Sequence, residues 1–265
     1  MFNEDKTIAA AQKVMLEILL EVHRICVENN ITYWLEGGTL LGALRHKGFI
    51  PWDDDIDISM PRKDYERFLK VAEKELDAKY FLQTRDIEPA FPLNIAKIRK
   101  HNTLLIETGE NGDENYHHGI FIDIIPNDFY DSIFFVKWMR WGVLAREKKK
   151  DYLRGSIKRI MVTLYVNIIL CLPLEFTKCV RLYFSKHKDW FSNRDAKYLT
   201  HPLDFGCLHF TKTKDILPVE KRSFEGFEFY VPNNPEEYLS SYYDENWMVL
   251  PPEEKRICHH QKIKF

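Results

Sequence analysis

The chain has 265 residues, 45% hydrophobic and 29% charged, a composition that fits one large or two small globular domains and excludes a disordered, collagen-like or disulfide-framed chain. Thirty-eight Lys and Arg against 40 Asp and Glu leave a net charge of −2, so no overall basic field marks nucleic acid as the partner and any phosphate chemistry must rest on local charge. Cys26, Cys171, Cys179, Cys207 and Cys258 are odd in number and scattered without a C-x-x-C pair, which points to a reducing compartment. The N-terminal MFNEDKTIAAAQKVM lacks the basic and apolar regions of a secretory signal, so a cytoplasmic location is expected.

Met15, Ile18, Leu19, Val22, Ile25 and Cys26 recur at spacings of three and four, which predicts a helix buried on one face and stopped near Asn29-Asn30. A strand follows over Ile31 to Leu35, then Gly37-Gly38-Thr39, a short apolar stretch from Leu40 to Leu44, and a basic cluster of Arg45, His46 and Lys47. From Asp55 to Met60 apolar and acidic residues alternate with the period of a strand. Pro61 opens a helix whose buried stripe is Tyr65, Phe68, Leu69 and Ala72. Leu93 to Lys100 and Thr103 to Glu107 flank the turn candidate His101-Asn102 and read as a hairpin. Gly109 to Gly119 is a polar loop that leads into an apolar strand, Ile120 to Pro126, broken by the single carboxylate of Asp123.

From Asp131 the pattern turns helical through Phe134, Phe135, Trp138 and Met139, becomes strongly basic from Arg146 to Arg159, and then apolar from Ile160 to Leu174. That apolar stretch is shorter than the roughly 20 residues a bilayer span requires, so it reads as a core or interfacial helix; with its basic neighbour it suggests peripheral contact with the inner membrane face through residues 146–174. Phe224-Glu225-Gly226-Phe227 is a hairpin turn, and Asn234-Pro235-Glu236-Glu237 a capped helix start. The expected organisation is a core over residues 1–130, a helical region over 131–205, and a small hairpin-plus-helix unit over 206–265 that packs on the core.

In an extended segment Asp53, Asp55 and Asp57 share one face, because positions two apart stand roughly 6.5 to 7 Å from each other. Such carboxylates repel unless a hard cation joins them. A solvated acidic turn is the ordinary alternative, but Ile50, Trp52, Ile56, Ile58 and Met60 anchor this run to a core. An EF-hand fails at its sixth position, where Ile58 replaces the required Gly. Asp123, amid Phe121, Ile122, Ile124 and Ile125, needs either a metal or a basic partner to be buried. With Asp55 and Asp57 beside it, a carboxylate triad on adjacent strands is expected, with Asp53 in support.

Gly37, Gly38 and Thr39 follow a strand directly and suit close approach of a phosphate to the backbone, although no P-loop pattern is present. Arg45 and Lys47, with Lys97 and Arg99, are candidate cations for a diphosphate. His117 and His118 are either acid-base groups or polar loop residues, the latter preferred. Trp34, Trp52 and Tyr116, with Phe49 and Phe91 nearby in sequence, are candidates for boxing an alcohol or quaternary ammonium, set against the commoner fate of core packing.

The run from Trp34 to Phe68, WLEGGTLLGALRHKGFIPWDDDIDISMPRKDYERF, closely resembles the signature of the LicD family, and the likeness continues through IAKIRKHNT and GIFIDIIP and weakens after Asn127. The resemblance implies a nucleotidyltransferase-like α+β fold, a mixed sheet flanked by helices with a mostly helical middle and C-terminal region. In that superfamily a Gly-Gly or Gly-Ser turn precedes a D-x-D strand and a later strand gives a third acidic residue, positions matched by Gly37, Gly38, Thr39, Asp55, Asp57 and Asp123. It also implies transfer of phosphocholine or another phospho-alcohol from CDP-choline or a related CDP-alcohol to a sugar hydroxyl of a glycopolymer or lipid-linked oligosaccharide, with Mg²⁺ or Mn²⁺ as cofactor. The dispersed cysteines show no sign of the cysteine-based zinc element that fukutin-related proteins carry. A nucleotide-sugar glycosyltransferase or a nucleotide-adding enzyme would use similar residues, and a silent scaffold binding glycopolymer or membrane through Arg146 to Arg159 is the non-enzymatic alternative.

Overall fold

The computed structural model describes residues 2–133, 196–202, 209–243, 245–256, 258 and 260–265. The helical, basic and apolar stretches expected between Phe134 and Leu174 lie outside the described residues, as do Cys171, Cys179 and Cys207. The chain forms two units, one of Met1–Pro126 with Lys214–Phe265 and one of Asn127–Thr213. Among the described residues no helix is long and apolar enough to cross a membrane.

The first unit is α+β. Helix α1 (Phe2–Glu28) buries Met15, Ile18, Leu19, Val22, Ile25 and Cys26 completely. It stops where the sequence turns polar: Asn30 takes a left-handed φ of 52°, and the Ile31 amide returns to the Cys26 carbonyl at 2.8 Å. Five strands follow in the main sheet: β1 (Trp34–Leu35), β2 (Asp57–Pro61), β3 (Tyr80–Gln83), β4 (Ala96–Lys100) and β6 (Phe121–Tyr130), in the order β1-β2-β6-β4-β3. Between β1 and β2 lies α2 (Gly37–Arg45), and α3 (Arg62–Glu75) follows β2. Helices α1 and α3 pack on each other, α1 also meeting β4 and α3 meeting β2 and β3. Tyr65, Phe68 and Ala72 are the buried stripe of α3.

The hairpin expected between Leu93 and Glu107 does not form. The turn exists, with Asn102 at a φ of 59°, but β4 is already paired on one edge with β3 and on the other with β6. With both edges taken, β5 (Leu104–Glu107) leaves the sheet and pairs antiparallel with the C-terminal strand β10 (His260–Lys264). The strand expected over Ile31 to Leu35 is regular only at Trp34–Leu35.

The C-terminal part of this unit contains the predicted hairpin, β8 (Glu220–Phe224) and β9 (Phe227–Val231). Glu225 and Gly226 both have positive φ, 50° and 81°, the two-residue turn whose twist matches the flanking strands. Helix α5 (Pro235–Tyr243) starts after Asn234, whose carbonyl accepts the Tyr238 amide at 3.0 Å. A single 3₁₀ turn (Glu253–Lys255) precedes β10. In the second unit β7 (Tyr198–Thr200) pairs with Asp128–Tyr130 of β6, and Thr211 Oγ1 donates to the Leu199 carbonyl. Helix α4 (Thr213–Ile216) is one short turn at the unit boundary.

Gly42, inside α2, lets the helix lie against the loop after it: a β-carbon there would stand 2.5 Å from the Gly48 carbonyl oxygen. Backbone cannot yield as a side chain can, so Gly42→Ala is expected to lower stability by about 1–3 kcal/mol, read by urea unfolding, although alanine is the better helix former.

Candidate active site

The acidic residues are presented to a helix start. The Glu36 amide donates to the Asp57 carbonyl at 3.0 Å, which fastens the end of β1 to the beginning of β2. The Glu36 carbonyl then accepts the Leu40 amide, and Gly37 and Gly38 open α2. Gly37 has a φ of +52°, open at low cost only to glycine. Both glycines also leave room for carboxylates. A β-carbon at Gly37 would lie 3.4 Å from Asp57 Oδ2, and one at Gly38 only 2.8 Å from Asp53 Oδ2. The pair expected to be a phosphate-binding turn is thus the first turn of a helix, with two aspartates against it. Thr39 Oγ1 accepts the Asp57 amide at 2.9 Å and so holds the first acidic residue of β2 in register with α2.

The strand expected from Asp55 starts only at Asp57. Residues 53 to 56 form an irregular approach because other groups take their backbone and side-chain bonds. Gln12 Nε2 donates to the carbonyls of Ile50 and Asp53 at 3.2 and 2.8 Å, and Asp54 is drawn into the interior by His260. The ladder resumes at once: the Asp123 amide donates to the Ile56 carbonyl at 2.8 Å, bringing β6 beside β2.

Burial and the crowding of like charge together set the electrostatics. Burial, the neighbouring Asp55 and Asp54 charges and a hydrogen bond with Asp55 push the Asp53 carboxyl up to about 8, with Arg45 opposing. Burial first, then Asp55, Asp123, Glu36 and Asp53, hold the Asp57 carboxyl well above its ordinary range. Asp123 is ion-paired with Lys97 at 2.9 Å, the basic partner that its apolar strand requires.

The candidate cations divide into two groups. Lys97 and Arg99 face the interior: Lys97 Nζ also reaches Glu107 at 3.1 Å and lies over the Phe121 ring, while Arg99 donates to Gln83 Oε1 and to the Gly119 carbonyl. Both are almost wholly buried, held among these partners. Arg45 closes α2 and donates to the Trp247 carbonyl at 3.1 Å, and Lys47 is exposed with a φ of 63°.

Nor do the candidate aromatics form one box. Trp34 is fully buried in the core, Trp52 carries the Arg256 guanidinium 4.8 Å from its ring, and Tyr116 donates to Glu110 at 2.8 Å beside Phe91. His117 accepts the Gly119 amide on Nδ1 and stacks on Phe81; burial, then Arg99, lower it to about 4, a neutral structural role. His118 stands between Glu110 and Glu114.

The contribution of α5 is not visible in the sequence. Buried Glu36 accepts hydrogen bonds from the hydroxyls of Tyr238 at 2.9 Å and Tyr242 at 3.2 Å, and the Tyr243 hydroxyl lies 4.0 Å from the β-carbon position of Gly37. Tyr243 therefore stands beside the acidic group with its ring partly exposed. Spacing of Tyr238 and Tyr242 by four marks a helix face, but nothing in sequence ties that face to Glu36, some 200 residues away.

Residues 30–166 match the LicD/FKTN/FKRP nucleotidyltransferase domain, which spans the glycine turn and all the acidic positions described above. The chain is also 31% identical over 268 residues to the lipopolysaccharide cholinephosphotransferase LicD of Haemophilus influenzae, covering 96% of each protein. It belongs to the LicD family. More distant members align over short windows: the human ribitol 5-phosphate transferase FKRP is 36% identical over 64 residues, 24% of this chain and 13% of that protein. The mouse protein of the same name is 56% identical over 34 residues, 13% of this chain and 7% of that protein.

In this LicD-family chain the donor set suits a divalent cation chemically. Asp53 and Asp57 converge on one glycine turn with Asp55 between them, and their mutual repulsion is what an added cation would offset. Among the described residues no group of three or more His, Cys, Asp or Glu forms a preset metal cage.

Two outcomes follow. Because Asp53 titrates above its usual value of 3.8, its protonated form favours folding; that contribution is complete below pH about 4 and lost as pH rises through about 8. The metal-free protein should therefore lose thermal stability across this window, and Asp53→Asn should flatten the loss, as followed by calorimetry in chelator. Gly38→Ala should displace the Asp53 carboxylate and weaken divalent-cation binding while leaving far-UV circular dichroism unchanged.

Proposed function

We propose that this chain transfers phosphocholine, or a related phospho-alcohol, from a CDP-activated donor to a sugar hydroxyl of a glycopolymer or lipid-linked oligosaccharide, with Mg²⁺ or Mn²⁺. The observation that carries the reading is the convergence of Asp53 and Asp57 on the Gly37-Gly38 opening of α2, in a chain matched along 96% of its length by a cholinephosphotransferase. The short alignments with ribitol 5-phosphate transferases support the wider class, a phospho-alcohol, without choosing the alcohol.

The chemistry follows from the residues. The first amides of α2 point out of the helix and its dipole favours negative charge, so a donor diphosphate is seated there, where the two glycines add no side-chain bulk. Asp55 and Asp57, with Asp53, would hold the cation, which when bound supplies charge neutralisation for the diphosphate and the departing CMP. Asp123 approaches from the neighbouring strand on the side of Asp57, where it would share the cation or accept the proton of the attacking hydroxyl. Lys97 fixes its position in either role. Attack is in line at phosphorus, and positioning with electrostatics contributes most of the rate. A peripheral stay at the inner membrane face, through residues 146–174, would bring this site to a lipid-linked acceptor.

Replacing Asp57 with Asn should reduce turnover by at least about a thousand-fold, on the scale of losing a transition-state electrostatic group, with an unchanged fold. Chelation should abolish turnover in the unaltered protein and added Mg²⁺ should restore it. Product analysis with CDP-choline, CDP-ribitol, CDP-glycerol and UDP-glucose decides the reading. CMP release with a phosphodiester on the acceptor supports it; UDP release assigns a glycosyltransferase instead, pyrophosphate from a nucleoside triphosphate assigns nucleotidyl transfer, and full activity of Asp57→Asn removes the assigned site.

A further inference from the structure

We propose that the C-terminal strand β10 is a clasp that positions the acidic residues of the active site, with Asp54 and His260 as its positioning residues. This rests on the reading above in which Asp55 and Asp57 carry the reaction.

Asp54 is the middle residue of the Asp53-Asp54-Asp55 run, and its carboxylate is bonded to the C-terminal strand. Its side chain is 3% exposed, and its Oδ2 accepts both the backbone amide of His260, at 2.8 Å, and His260 Nδ1. One carboxylate oxygen thus ties the loop before β2 to the first residue of β10. Neighbouring contacts repeat the tie: Cys258 Sγ donates to the Trp52 carbonyl at 3.2 Å, and the Arg256 guanidinium lies on the Trp52 ring. The segment that presents Asp53 and Asp55 is irregular, so it has no ladder of its own to fix those side chains, and the C-terminal segment substitutes for one.

The same strand reaches the other side of the site. His260 lies opposite Glu107 in the β10–β5 pairing. The Glu107 carboxylate takes the Lys97 ammonium at 3.1 Å, and Lys97 pairs with Asp123 at 2.9 Å. A continuous path of bonded groups therefore runs from Asp54 through His260, the β10–β5 pair, Glu107 and Lys97 to Asp123. It links the loop carrying Asp53 and Asp55 to the strand carrying Asp123. Partners of this kind, which touch no substrate but orient the groups that do, typically govern metal affinity and rate by about 10- to 100-fold.

The test uses the full chain and compares Asp54→Asn, Asp54→Ala, His260→Ala and the double variant Asp54→Ala/His260→Ala. Three quantities are read: Mn²⁺ binding by electron paramagnetic resonance, turnover of CDP-choline with its Mg²⁺ requirement, and amide hydrogen exchange. Both alanine variants should lose about 10- to 100-fold in turnover, need more cation, and exchange faster over residues 52–58 and 104–107, with α1 and α3 unchanged. The double variant should be no worse than the poorer single one, since both remove the same tie. Asp54→Asn should stay within about threefold of the starting protein, because its one amide oxygen can accept both bonds. If Asp54→Asn is as damaging as Asp54→Ala, Asp54 is a ligand and the clasp is wrong; unchanged exchange in the alanine variants also overturns it. Should the unaltered protein neither bind Mn²⁺ nor turn over a CDP-alcohol, the functional reading fails, and the exchange comparison still decides the clasp.

Discussion

Bringing several carboxylates to one place in a half-buried setting is unfavourable, and much of the first unit is arranged to hold them there. Asp53 and Asp57 lie against the opening turn of α2, where glycine removes the side-chain bulk that would push them apart and the helix start presents amides rather than carbonyls. Arg45 opposes part of the negative charge from the far end of the same helix. Burial first, and then the repulsion that remains, raise the proton affinities of Asp53 and Asp57.

The opposite side of the site shows the other solution to the same problem. Asp123 is balanced within the protein by Lys97, which Glu107 and the Phe121 face also hold. A buried ion pair contributes little net stability once desolvation is counted, but removing one partner leaves the other charge unmatched. Lys97 and Arg99 therefore act on the position of β6, the strand that pairs with theirs. The matched region contains the glycine turn, the acidic run and Asp123 together.

The contribution of the C-terminal segment changes how the site is defined. Helix α5 supplies Tyr238 and Tyr242 to Glu36 and sets Tyr243 beside the carboxylates, and β10 holds Asp54. Neither element contains an acidic motif, and both lie outside the stretch in which the sequence resembles the family most clearly. A full-length relative aligned over 96% of the chain shows that the chain as a whole, beyond the matched domain, is the unit shared with it.

Much was readable from local order. The stripe of α1, the Asn29-Asn30 stop, the stripe of α3 and the Glu225-Gly226 turn follow from periodicity and from which residues tolerate positive φ, properties that neighbours in sequence decide among themselves. The acidic run and the glycine pair were legible for the same reason. The partner of β5 was not, because β4 had both edges filled by strands distant in sequence and only tertiary pairing shows that. Nor was the fate of Lys97, Arg99 and Trp34, since an alternating strand does not reveal which of its faces meets a core. Sequence by itself thus determined the chemistry available, carboxylates and glycines in a fixed order. Tertiary structure decided which carboxylates face one another, which are neutralised, and which one, Asp54, is an anchor, because burial and long-range hydrogen bonds depend on residues as far apart as 54 and 260.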